Sequence, residues 1–137
     1  MQENTLTRLF VLLLFALVSL PAHAQLAVPS TWVNQRGSIL SIQAIDASTG
    51  NFTGTYVNNA AGFSCRGQPY AMAGNVAANK IDFYVNWTSP TAPNCRTITI
   101  WNGRVAGDKI PTRWKLYYVG SDWNFHKMTG QDLFTRR

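Results

Sequence analysis

Glutamate occurs once in this 137-residue chain, at Glu3, and histidine twice, at His23 and His126. Cysteine is limited to Cys65 and Cys95. The remaining acids are scattered aspartates: Asp46, Asp82, Asp108, Asp122 and Asp132. These shortages narrow the function classes. A paired-carboxylate hydrolase would need two of those distant aspartates to converge. No His-rich metal motif, Gly-x-Ser-x-Gly elbow or phosphate loop occurs. The expectation is a protein that catalyses nothing and holds no metal or cofactor.

Long apolar runs are also missing, with one exception. Arg8 precedes an apolar stretch from Leu9 to Leu20, followed by Ala22-His23-Ala24. A basic residue, a short apolar core and a small-x-small site form the layout of a secretory signal peptide. The stretch is too short to span a bilayer as a helix. The expected organisation is a leader over residues 1–24 and one domain over 25–137. The product is then secreted or periplasmic, with no membrane association.

The net charge of +6 survives that processing, because Glu3 and Arg8 leave together. The basic residues are dispersed apart from Arg136-Arg137. Dispersed charge reads as a solvated surface, so no specific nucleic-acid partner is expected. Export also gives the cysteines a meaning. In an oxidising compartment, Cys65 and Cys95 are read as one intramolecular disulfide, against a free thiol pair or an intermolecular bridge.

What remains is β-structure. No segment after the leader keeps a helical period. In Ile81-Asp82-Phe83-Tyr84-Val85-Asn86-Trp87, Ile81, Phe83, Val85 and Trp87 share one face while Asp82 and Asn86 share the other. Ser38–Gln43 reads as a second strand, and Asp46-Ala47-Ser48-Thr49-Gly50 as the hairpin connection returning Asn51–Val57. Further runs lie near Thr31–Asn34, Pro69–Val76, Arg96–Val105, Pro111–Val119 and Phe125–Phe134. Eight short sequential strands suggest an all-β up-and-down antiparallel barrel or a sandwich. A barrel of this size has room for side chains or one small ligand.

Several motifs then fall in one order. Trp32-Val33-Asn34-Gln35-Arg36-Gly37-Ser38 resembles the opening W-x-N-x-x-G-S of the avidin family, and Gly54-Thr55-Tyr56 its third-strand G-x-Y. Trp87, Thr97-x-Thr99-x-Trp101-x-Gly103, Thr112-x-Trp114-x-Leu116 and Gly130-Gln131-Asp132-x-Phe134 follow. The likeness covers Thr31 to Phe134. With Tyr56-Val57-Asn58 and the two cysteine positions, it is nearest to dimeric, rhizavidin-like bacterial avidins. The resemblance implies an eight-stranded barrel that binds biotin tightly at its mouth.

By that resemblance, Asn34, Ser38 and Tyr56 donate to the ureido oxygen, and their amide, hydroxyl and phenol groups can all donate. Asp132 and the Asn58 side chain accept the two ureido N–H groups. Thr99 faces the sulfur and Thr97 the carboxylate tail. Trp87, Trp101, Trp114 and Leu116 wall the apolar bicycle. Taken singly, each has a plainer reading. An inward Trp is commonly core, Tyr56 can anchor a strand, and Asn34 and Ser38 can close a turn. Asp132 stands apart, because an inward carboxylate among apolar neighbours requires a partner. The loop from Asn59 to Gln68 corresponds to the family's lid, and a Cys65–Cys95 bridge would hold it partly closed.

The pattern departs from the family near its last strand. Tetrameric avidins lend a Trp to the neighbouring pocket. Trp123 lies one residue further from Asp132 than that spacing, which leaves Asn124 at the matching position. If the strand extends that far, Trp123 faces the wrong way. A homodimer is therefore expected rather than a tetramer. Ile98 and Ile100 must face outward if Thr97, Thr99 and Trp101 face inward, which also points to an interface. The competing function is a secreted barrel acting as an inhibitor or interaction protein for another ligand.

Overall fold

A computed structural model describes residues 26–89 and 95–137; the leader expected over residues 1–24 lies outside the described residues. Eight antiparallel strands form a closed barrel in which each pairs with its sequence neighbours. They are β1 (Ser30–Asn34), β2 (Ile39–Ile45), β3 (Asn51–Val57), β4 (Pro69–Ala77), β5 (Lys80–Thr88), β6 (Arg96–Arg104), β7 (Lys109–Val119) and β8 (Phe125–Arg136). Strands β1 and β8 close the ring through Trp32↔Arg136, Val33↔Thr135 and Asn34↔Phe134.

Period-two alternation sets which side chains enter the barrel. Strand β5 alternates strictly, burying Ile81, Phe83, Val85 and Trp87. Strand β6 buries Thr99 and Trp101 and leaves Ile98 and Ile100 outside, 42% and 36% exposed. Strand β2 departs from the expected bounds at both ends. Ser38 leaves the strand because its backbone serves the turn, donating N–H to Asn34 Oδ1 and accepting Asn34 N–H. A bulge between Ile42 and Ala44 resets the register and carries pairing on to Ile45. Strand β8 runs past Phe134 because Thr135 and Arg136 still find partners on β7 and β1.

The β1–β2, β3–β4 and β7–β8 connections gather at one end of the barrel. Toward the other end the interior is solid, filled by Trp32, Leu40, Ile42, Phe52, Phe83, Ile110 and Phe134, all essentially inaccessible. Burying a side chain of this kind contributes about 1.5–3 kcal/mol. Phe83 stacks on Trp101 at 5.0 Å and meets Phe134 edge-on at 5.8 Å. The packed half thus ends on the Trp101 indole, and the space beyond it is the site.

Candidate functional site

Beyond Trp101 lies a cavity of about 1100 Å³ that opens between the loops. The structure brings Asn34, Ser38, Tyr56, Asn58, Trp87 and Thr97 to its wall, and with them Thr99, Trp101, Trp114, Leu116 and Asp132. These eleven residues therefore share one space, although they come from six strands and two connections. Most are buried, Asn34, Ser38, Tyr56, Thr99 and Asp132 among them.

The polar groups fall into two networks. In the first, Asn34 Oδ1 accepts the N–H groups of Arg36 and Ser38 at 3.0 and 2.9 Å, which fixes the carboxamide. Its Nδ2 donates to Tyr56 Oη at 3.5 Å. The phenol oxygen thus has a donor in Asn34, and Ser38 is its second hydrogen-bond neighbour. Burial, and secondarily the Asp132 carboxylate, push the Tyr56 pKa well above that of an ordinary phenol, so it stays protonated as a donor. The Ser38 hydroxyl, beside Tyr56, donates to Asn58 Oδ1 at 3.3 Å and accepts from Asn59 N at 3.0 Å.

Asn58 behaves differently from the simple acceptor expected of it. Its Oδ1 takes the Ala60 N–H at 3.0 Å as well as the Ser38 hydroxyl, so both lone pairs are committed. A ligand N–H can use that oxygen only if Ser38 turns its proton elsewhere.

The second network surrounds Asp132. Trp101 Nε1 donates to Oδ2 at 2.9 Å, and Gln35 Nε2 to Oδ1 at 3.0 Å. These bonds answer the requirement that an inward carboxylate be partnered. Gln35 was not singled out from sequence. Its carboxamide also donates to the Gln131 carbonyl at 3.2 Å and accepts the Leu133 N–H at 2.9 Å. It acts as a surrogate peptide group that continues the β1–β8 seam beyond Asn34. Sequence spacing carries no sign of this, because the partners lie 96 to 98 residues apart.

The aromatic walls are held by specific contacts. Trp87 Nε1 donates to Thr99 Oγ1 at 2.9 Å, leaving the threonine proton available to the cavity. Tyr56 lies against Trp101 at 4.8 Å and Trp87 at 5.7 Å. Trp114 lies across Gly130, where any Cβ would overlap its indole. The glycine is therefore a steric condition for that wall.

Cys65 and Cys95 form a disulfide with Cα atoms 5.4 Å apart, joining the β3–β4 loop to the start of β6. Tyr70, packed edge-on against Trp87 at 4.9 Å, places its hydroxyl 3.4 Å from Cys95 Sγ. Phe63, on the tethered loop, also lines the cavity and was not anticipated individually.

Trp123 corrects one expectation. Strand β8 begins at Phe125, so strand parity does not reach this residue. Trp123 sits in the β7–β8 turn at φ 62°, bonded from its N–H to the Gly120 carbonyl at 3.0 Å. Its side chain is 88% exposed and flanks the cavity mouth. The turn, and not the pleat, sets its direction.

Comparison with known proteins agrees with this architecture. The model of the Avidin family matches residues 22–137. Afifavidin from Afifella pfennigii is 41% identical over 113 residues, covering 80% of this chain and 69% of that protein. The bradavidin2–biotin complex superposes with a TM-score of 0.72 at 38% identity, covering 82% of this chain and 99% of that one. The rhizavidin–biotin complex gives 0.71 at 37% identity, covering 81% and 92%.

Proposed function

The chain belongs to the avidin family, and from that premise we propose that it captures biotin in the open end of its barrel without transforming it. One observation carries the reading. A single cavity combines hydrogen-bond donors (Asn34, Ser38, Tyr56), a buried carboxylate (Asp132) and indole walls. A ureido group needs donors on its oxygen and acceptors on its nitrogens, and the fused rings need apolar walls. Donors aimed at one carbonyl oxygen favour its partly anionic resonance form, the electrostatic logic of an oxyanion hole used here for affinity.

In this reading ligand entry exchanges one bond. The Ser38 hydroxyl turns from Asn58 Oδ1 onto the ureido oxygen, and the freed lone pair takes a ureido N–H. Asp132 takes the other N–H. Thr99 donates toward the sulfur, and Thr97, nearer the rim, meets the tail. Trp87, Trp101, Trp114 and Leu116 enclose the bicycle. Retention on immobilised biotin with elution by free biotin tests the reading, and passage through the column unretained contradicts it. Tyr56→Phe removes one donor while keeping the ring. It should weaken binding by about 1–2 kcal/mol in titration calorimetry.

We further propose that residues 1–24 are a cleaved leader and that the barrel is secreted or periplasmic. The exported protein is then a homodimer. Support for an interface lies on the outer wall, where Ile98, Tyr117, Val119 and Phe125 are 42%, 37%, 51% and 85% exposed. In a dimer whose pockets are complete within each barrel, Trp123→Ala should change biotin affinity by less than about 1 kcal/mol, as a surface substitution does. A loss of several kcal/mol would instead mark Trp123 as a wall lent between subunits, and light scattering would then find a tetramer.

A further inference from the structure

The cavity is polarised along its axis. Its acid, Asp132, is 7% exposed and lies deep, bonded to Trp101 and Gln35. The cationic residues bordering it, Arg36 and Arg96, are both exposed, and Arg96 also borders a groove on the outer wall beside Ile98 and Tyr117. Arg36 stands in the β1–β2 turn, its backbone N–H held at 3.0 Å by Asn34 Oδ1. Arg96 is the first residue of β6, directly after the disulfide-bonded Cys95 and opposite Thr88. Among the described residues, no carboxylate forms an ion pair with either guanidinium. Asp122, the acid of the neighbouring β7–β8 turn, is engaged by His126 at 2.8 Å.

We propose that Arg36 and Arg96 read the charge of the ligand's tail, so that the mouth selects a ligand ending in a free carboxylate over the same ligand ending in an ester or amide. Thr97 makes only part of this distinction, because a hydroxyl can donate to either kind of tail, though more strongly to a carboxylate. A cation adds a longer-range, salt-dependent preference for an anion over its neutral isostere. The positive charge of Arg36 extends into the cavity, where it is felt at the Tyr56 phenol and partly offsets the effects that raise its pKa. An anionic tail approaching the rim meets this field before it meets the deep carboxylate. Free biotin should therefore associate faster than its neutral derivatives, and that advantage should be salt-dependent.

The proposal rests on the biotin reading, and one experiment separates the two. Association and dissociation rates are measured for biotin and for biotin methyl ester on the wild type, on Arg36→Gln, on Arg96→Gln and on the double variant. Both arginines are exposed, so each should contribute about two- to fivefold to the biotin-to-ester preference. The preference should fall in each single variant and furthest in the double one, leaving the part that neutral donors such as Thr97 supply. It should also collapse near 1 M salt, where the Debye length is about 3 Å. Arg113→Gln, on the outer wall of β7, serves as the control and should keep the wild-type ratio. A ratio unchanged in the double variant overturns the charge-reading role while leaving biotin capture intact. Failure of the wild type to bind either ligand overturns the underlying reading and this proposal with it.

Discussion

Asp132→Ala should lower biotin affinity by about 3–5 kcal/mol, on the order of a hundred- to several-thousand-fold. The size follows from what the substitution leaves behind. A ligand N–H buried in the cavity would lose a charged acceptor, and bonds to charged groups are worth roughly twice neutral ones. The Trp101 indole N–H and the Gln35 carboxamide would lose the same acceptor. Gln35 would then be free to shift along the β1–β8 seam, and Trp101 forms both the cavity wall and the stacking partner of Phe83. Asp132→Asn keeps the shape and one acceptor oxygen and should recover part of the loss. Calorimetry on both variants, with thermal melts to confirm folding, gives the answer. Unchanged affinity in Asp132→Ala would remove the carboxylate from the site.

The barrel was legible because alternation is a local signal. The strict period of β5 predicted its buried face residue by residue, and the run of Ile98, Thr99, Ile100 and Trp101 predicted the two faces of β6. The cavity residues could be singled out because their types follow a family order, and closing the barrel brought them together. The missed features are not local. Gln35 looks like a turn residue, and its partners on β8 become visible only once the ends of the chain meet. The doubly committed Asn58 oxygen depends on Ser38, which is distant in sequence and reaches it only through the β2–β3 pairing. A strand rule applies to Trp123 only if β8 reaches it, and Gly120 and Asp122 make a turn there instead. Local period predicts which way a strand residue faces. It cannot predict what a turn does with an indole.

Removing the disulfide, as in Cys65→Ala with Cys95→Ala, should cost stability and residence time together. The bridged residues are 30 apart in sequence. In the chain-entropy model, opening a loop of that size loses roughly 3–4 kcal/mol. The melting temperature should fall on the order of ten degrees. The effect on binding has a separate origin. The loop between β3 and β4 lines the cavity through Ala60, Phe63 and Cys65. Its two ends are joined by the Gly67 N–H on the Asn58 carbonyl at 2.8 Å, and its start is held by the Ala60 N–H on Asn58 Oδ1. The bridge adds a further restraint, tying Cys65 within the loop to the start of β6. Without it, ligand binding must order the loop, and each residue fixed costs about 1–2 kcal/mol of backbone entropy. That cost lowers affinity, and tuning of this kind is expressed mainly in the off-rate. Biotin should therefore leave the double variant faster, while its association rate changes little. Chemical reduction of the wild type should reproduce the effect, which separates it from any packing defect left by the alanines. If the variant melts lower but releases biotin at the wild-type rate, the bridge serves stability alone and does not pre-order the lid.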